Sequence, residues 1–191
     1  MNFYIIPSPI GNLDDITIRV IDTITKIDFL VVENRTIAQN LLKKLKLSKK
    51  KIFTYNDHSN EADRQNIMKQ LKSGLVGGII SDAGTPLISD PGYKLISELI
   101  TNNINIISLP GPTAFITALT GSGLPTDKFQ FNGFLPKKNK DLVAVLNECS
   151  SFSGTSIFYE TTHRIISSLE LINQIFHFKA RLCVAKELTK V

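Results

Sequence analysis

The chain has 191 residues, 42% hydrophobic and 20% charged, the balance of a folded globular protein with room for one large domain or two small ones. None of its apolar runs approaches the roughly 18–20 residues of a membrane-spanning helix, so the sequence excludes that class. A net charge of +5 and a pI near 9.2 permit a polyanionic partner without requiring one.

In chain order, Met1-Asn2-Phe3 enters an apolar strand at 3–6 with no basic leader before it. The turn-rich Pro7-Ser8-Pro9-Ile10-Gly11-Asn12 follows. Asp14 and Asp15 then precede a helix over 16–24, and a second short strand at 29–32 ends at Glu33-Asn34-Arg35. Ile37, Leu41, Leu42 and Leu45 mark the next helix, succeeded by a weak strand at 51–55 and a polar-faced helix at 61–71. The run 76–80 reads as a buried strand, followed by a helix at 94–100 and a strand at 105–109. Pro110-Gly111-Pro112 leads into a helix at 113–119.

Strand and helix thus alternate, which predicts an α/β fold built on a mainly parallel sheet with helices on both faces. Ser122-Gly123-Leu124-Pro125-Thr126-Asp127 is the natural boundary between domains at 1–121 and 122–191. A second alternation follows it: strand 129–132, helix 140–146, strand 156–159, helix 165–175, strand 180–185. Cys149 and Cys183 stand in no CxxC or metal-like spacing, and the three histidines are scattered. Unpaired thiols, a cytoplasmic location and no metal site are therefore expected.

The segment Ser81-Asp82-Ala83-Gly84-Thr85-Pro86-Leu87-Ile88-Ser89-Asp90-Pro91-Gly92 carries the strongest signal. A strand delivers it to the C-terminal edge of the sheet, where α/β proteins bind ligands. Gly84 lets a ligand approach the backbone, and Asp82 and Asp90 can accept hydrogen bonds from hydroxyl or ammonium groups. The plainer reading is a tight turn in which Asp90 caps a helix beginning at Pro91. A parallel sheet would gather this loop with residues 7–12 and 110–113 into a cleft of small side chains and backbone N–H groups, suited to a nucleoside-like ligand. The absence of GxxxxGK[ST], and of GxGxxG after the first strand, argues against a P-loop or an ordinary dinucleotide site.

Lysines 43, 44, 46, 49, 50 and 51 crowd the end of one predicted helix, where they complement its dipole as a solvated face. Lys137 and Lys138 follow Phe134-Leu135-Pro136 on a loop, a better place for phosphate contact.

Pro9-Ile10-Gly11-Asn12-Leu13-Asp14-Asp15, the Asp82–Gly92 loop and Pro110-Gly111-Pro112-Thr113-Ala114 resemble signatures of the tetrapyrrole methylase superfamily, whose members use S-adenosyl-L-methionine. Phe131-Asn132-Gly133-Phe134-Leu135-Pro136, Tyr159-Glu160-Thr161-Thr162-His163-Arg164 and Glu187-Leu188-Thr189-Lys190 resemble one branch of it, the small-subunit ribosomal RNA methyltransferases I, which methylate a cytidine ribose 2′-hydroxyl in 16S ribosomal RNA. The resemblance implies two α/β domains with the cofactor in the cleft between them, and a homodimer; no membrane association is expected from the lack of a long apolar run. It implies cofactor contacts from Pro9, Gly11, Asp82, Ala83, Gly84, Thr85, Ile88, Thr113, Ala114 and Phe134. Phe134 read as ordinary inter-domain core is the alternative. RNA contacts fall to Arg35, Lys137, Lys138 and Arg164. The candidates for a base that draws the proton from a ribose hydroxyl are His163 and Asp90, His163 serving otherwise as an orienting or structural hydrogen-bonder.

Two departures stand out. The family pattern Glu-Asp-Thr-Arg is replaced by Glu33-Asn34-Arg35-Thr36. Family members also continue past Glu-Leu-Thr-Lys, which implies a chain truncated at its C-terminus. Two other functions therefore stay open beside RNA ribose methylation: methyl transfer to a tetrapyrrole or other small molecule, and an inactive, dimerising remnant.

Overall fold

In the computed structural model, which describes residues 1–177 and 179–190, near-continuous apolar runs form five parallel strands. These are β1 (Asn2–Ile6), β2 (Phe29–Val32), β3 (Lys51–Thr54), β4 (Gly77–Ile80) and β5 (Asn105–Ser108), in the order β3-β2-β4-β1-β5. Side-chain alternation sends Phe3, Ile5, Phe29, Val31 and Ile79 to one face, onto Ile67, Met68 and Leu71 of α3 (Glu61–Lys72) and Leu95, Ile96 and Leu99 of α4 (Tyr93–Thr101). Ile6, Leu30, Val32 and Ile80 face the other way, onto Val20 and Ile24 of α1 (Ile18–Lys26) and Ala38 and Leu42 of α2 (Arg35–Lys44). Both faces are covered, which is why β2 and β4 are buried end to end. Phe29 owes its place to Gly77 beside it in β4, because a Cβ at 77 would fall into the Phe29 ring.

Helix starts differ from expectation in two places. Thr17 caps α1 by accepting from the Val20 amide at 3.1 Å, while Asp14 and Asp15 form a separate 3-10 turn, Leu13–Asp15. Gly92, at φ +130°, is the N-cap of α4, so Asp90 does not cap that helix. Its carboxyl is a neighbour of the Ser81 hydroxyl instead.

The chain divides into two compact units, Met1–Thr113 with the terminal residues from Thr189 onward, and Ala114–Leu188. The division precedes α5 (Ala114–Gly121), whereas the sequence-based boundary follows it. α5 lies against β7 (Thr155–Tyr159), and its Phe115 ring stacks on Phe131 of β6 (Phe129–Phe134) at 4.4 Å. β6 and β7 pair in parallel. Leu142 and Leu146 of α6 (Asn139–Ser150) pack with Leu135, Phe158 and Leu171 and Ile172 of α7 (Ile165–Phe176). The expected strand at 180–185 does not form. Leu182 and Val184 within it are 52% and 54% exposed, and among the described residues no strand lies alongside to complete a ladder. Val191, the end of the second predicted domain, lies outside the described residues. Among the described residues no helix is long and apolar enough to cross a membrane.

Candidate active site

β1 leads across the α1 face to β2, whereas its neighbour β4 leads across the opposite, α4 face to β5. Adjacent strands that depart in opposite directions open a crevice at their carboxyl ends, the usual ligand position in such sheets. The loops that follow β1 and β4 meet there. Ser8 and Gly84 exchange both backbone hydrogen bonds, at 2.8 and 3.0 Å. The Ser8 hydroxyl adds a bond to the Ser81 carbonyl at 3.0 Å. Gly84 holds φ +79°, and a Cβ on it would press to 3.2 Å from Ile10 Cγ2. The third loop is tied in by Thr85, whose hydroxyl reaches the Pro112 carbonyl at 3.0 Å and Thr113 Oγ1 at 2.7 Å. Pro9, Gly11, Asp82, Ala83, Gly84, Thr85 and Thr113 are thereby gathered on one sheet edge. Ile88, 38% exposed, sits between Leu87 and Ser89, both at positive φ (75° and 64°). Non-glycine residues held there store strain of the kind found in ligand-binding loops.

The same edge is acidic. Burial raises the carboxyl of Glu33, at the end of β2, above its ordinary value, and Asp82, Asp90 and Asp57 push it further. Burial likewise raises Asp82, against the Asn34 backbone hydrogen bond that lowers it. Asp90 is raised by burial and by Asp82, and lowered by the Ser81 hydroxyl. That hydroxyl has one proton, and the Gly84 carbonyl competes for it at 3.1 Å. A cation would relieve this edge, and a polyphosphate would meet repulsion.

An open cavity of about 420 Å³ adjoins the edge, lined by Ser8, Pro9, Gly11, Asp82 and Ala83 on one side and by Ile37, Asn40, Leu41 and Lys44 of α2 on the other. Sequence reasoning named no role for Glu33, Ser8 or Ser81, although each lies within or beside a quoted motif, and Asn40 and Lys44 join Ile37 and Leu41 at i, i+3, i+4, i+7 on the α2 wall.

The remaining predicted residues have defined roles within their own units. Arg35 donates to the Ile52 carbonyl at 2.8 Å, bracing β3. Arg164 donates to the carbonyls of Leu135 and Pro136 at 3.0 and 2.8 Å and pairs with Glu160 at 3.2 Å. Glu160 also accepts from the Ser168 hydroxyl at 2.6 Å. The Tyr159–Arg164 motif is thus a clamp on the segment that presents Phe134, Lys137 and Lys138. Both lysines are exposed. Phe134, 54% exposed, meets the Tyr159 ring edge-on at 5.5 Å. His163 is exposed on the turn before α7, and Ala114 opens α5.

The sequence pattern of the Tetrapyrrole (Corrin/Porphyrin) Methylases matches residues 2–190. The chain is similar to "Ribosomal RNA small subunit methyltransferase I" of Rickettsia prowazekii (strain Madrid E), 46% identical over 98% of this chain and 66% of that protein. The protein of the same name from Vibrio cholerae serotype O1 is 44% identical over 98% of this chain and 65% of its own length. The chain therefore spans just under two thirds of these relatives. Among solved structures, uroporphyrin III C-methyl transferase from Thermus thermophilus aligns at TM-score 0.61 and 10% identity, over 92% of this chain and 77% of that one. The cobalt precorrin-4 methyltransferase of cobalamin biosynthesis aligns at TM-score 0.65 and 15% identity, over 91% and 74%. At such identities the likeness is one of fold.

Proposed function

The chain belongs to the tetrapyrrole (corrin/porphyrin) methylases, and from that membership we propose that it carries out S-adenosyl-L-methionine-dependent methyl transfer to a cytidine ribose 2′-hydroxyl of 16S ribosomal RNA. The observation that carries the reading is the 46% and 44% identity, along 98% of the chain, to relatives named for small-subunit ribosomal RNA methylation. Three loops bonded together at the switch point of the sheet support it.

The residues present fit the cofactor. Gly84 leaves a hollow that a Cβ would fill, and Pro9, Gly11, Ala83 and Thr113 offer small side chains and backbone groups to a flat ring and its edges. Ile88 can cover a ring face. Asp82, with Glu33 near it, favours a ligand that brings positive charge. In the second unit, Ala114 and Phe134 remain candidates for cofactor contact on the strength of their motifs. S-adenosyl-L-methionine supplies a methyl group already activated by a positively charged sulfur.

The chain's own work is then to align a hydroxyl and remove its proton. Asp90 suits the second task, since burial raises its pKa and makes its carboxylate a stronger base than an ordinary one. His163 is the alternative base. Lys137 and Lys138 would hold phosphates, positioned by the Arg164 clamp. A nucleotide modified on its ribose has to be splayed from its neighbours, so a single-stranded or flexible site is the expected substrate. A homodimer and a cytoplasmic location complete the proposal.

Calorimetric titration of the purified chain with S-adenosyl-L-methionine, followed by methyl transfer to small-subunit RNA or particles, tests it. Micromolar binding with radiolabel in a cytidine ribose is the expected result. A folded chain that binds no cofactor would overturn it and favour the non-catalytic reading.

A further inference from the structure

The cavity beside α2 has two ends of opposite character. Asp82 lies at the start of α2, where its carboxylate meets the Asn34 backbone amide. Lys44 lies nine residues beyond Arg35, about 14 Å along the helix axis. Between them Ile37, Asn40 and Leu41 line one wall, and Pro9 and Gly11 line the other. Lys43, Lys46 and Lys49 are exposed and continue the positive charge past Lys44. Lys50 and Lys51 do not share this availability: Lys50 donates to the Thr25 and Ile27 carbonyls at 2.8 and 2.7 Å, and Lys51 bonds Gln70 at 2.8 Å and sits over the Phe53 ring.

A helix-end basic cluster alone would be a solvated face. Here one of its members, Lys44, lines a cavity whose size is that of a small-ligand pocket, whose walls are mostly apolar with Asn40 and Ser8 among them, and whose far end is the Asp82 carboxylate of the candidate methyl-donor loop. Phosphate is repelled at the Asp82 end and attracted at the Lys44 end, which fixes the direction in which a nucleotide would lie.

We propose that this cavity receives the nucleotide to be methylated, extruded from a single-stranded RNA segment. The base packs against Ile37 and Leu41, Asn40 faces its hydrogen-bonding edge, and a ribose hydroxyl is turned toward the Asp82 end, where Asp90 neighbours Asp82. The phosphates that flank it run along Lys44, Lys43, Lys46 and Lys49. The proposal rests on the RNA reading above and adds the place, the direction and the residues.

The test uses the whole chain and a fluorescein-labelled, unstructured, cytidine-containing RNA decamer, with binding followed by anisotropy between 50 and 200 mM salt. Lys43→Ala with Lys44→Ala should weaken binding at least 10-fold at low salt and reduce the salt slope by about 1.4, at about 0.7 per phosphate contact on a single strand. Ile37→Trp, which fills the cavity from a position 42% exposed, should weaken it comparably with little change in salt slope. The lysine variant should bind S-adenosyl-L-methionine as the parent chain does. Should Ile37→Trp fail to fold, the lysine pair decides alone, since both side chains are exposed. Parental affinity and slope in the lysine variant would overturn the proposal, as would a parent chain that binds the decamer not at all. RNA binding that responds to these variants while no methyl is transferred would leave the cavity assignment standing and remove the catalytic reading.

Discussion

The backbone amide of Asn12 donates to Thr189 Oγ1 at 3.2 Å, joining positions 177 residues apart in the chain. Thr189 itself holds φ +65°. The bond fastens the loop that carries Pro9 and Gly11, so the Glu187–Lys190 motif has a structural purpose on the first unit. Thr189→Val removes the acceptor and should cost about 1 kcal/mol of stability with a several-fold loss of S-adenosyl-L-methionine affinity. Thr189→Ser should restore both, as urea unfolding and calorimetry can show. A Val variant that keeps parental stability and affinity while Ser loses them would mean that the methyl packing, not the hydrogen bond, fastens the loop.

Gly84 is the point where two loops pair and where no side chain fits without strain. Gly84→Ala places a Cβ at φ +79° and 3.2 Å from Ile10 Cγ2, so it should destabilise by about 1–2 kcal/mol. The larger effect should be on cofactor affinity, because the hollow that the substitution fills is the proposed contact surface. Comparable affinity in the variant, measured by calorimetry on folded protein, would move the cofactor away from Gly84.

Arg164 spends its guanidinium on the Leu135 and Pro136 carbonyls and on Glu160. Arg164→Lys keeps the charge but cannot span three acceptors, and should lower the unfolding free energy by about 1–3 kcal/mol. Lys137→Ala with Lys138→Ala should do the converse, leaving stability within about 0.5 kcal/mol and flattening the salt dependence of RNA binding. A salt slope that falls with Arg164→Lys in a chain of parental stability would return Arg164 to the phosphate contacts.

Burial, reinforced by Asp82, Asp90 and Asp57, raises Glu33 above its ordinary 4.5. Ionising it then costs more in the folded chain than in the unfolded one. Stability falls as pH rises from the ordinary carboxylate range through the raised value. Glu33→Gln removes the group. The variant should melt above the parent at pH 7–8 and lose that advantage below about pH 4. Thermal unfolding across pH gives the answer, and an advantage undiminished at acid pH would assign it to packing instead of ionisation.

The sequence told most where the physics is local and periodic. Apolar runs such as Phe29 to Val32 announce a strand buried on both faces. What stayed hidden depends on partners far along the chain. Nothing near Ser8 marks its pairing with Gly84, and nothing near Arg164 marks its hold on Leu135 and Pro136. The strand expected at 180–185 fails for the same reason: only a neighbour can complete a strand. Candidate site residues on the sheet edge were legible because topology gathers loops there, whereas the acidic neighbour Glu33 and the α2 wall became visible only once the strands were ordered.

Gly77 offers a test of the sheet that carries the site. It pairs with Phe3 on one side and Phe29 on the other, and a Cβ at 77 would occupy the space of the Phe29 ring. Phe29 is fully buried and meets Phe53 edge-on at 5.4 Å, so the ring has nowhere to retreat without disturbing that contact. Gly77→Ala should therefore destabilise by about 1–3 kcal/mol, the usual cost of overpacking. Phe29→Leu alone should cost about as much by leaving space. The two changes share one volume, so the double variant should be more stable than their sum predicts, by about 0.5–3 kcal/mol of coupling in a urea-unfolding cycle. Strict additivity would mean that the alanine methyl is accommodated by a shift of β4 away from Phe29. Such a shift would move Ser81 and Asp82 with it, and the cofactor affinity of Gly77→Ala would drop beyond what its stability explains.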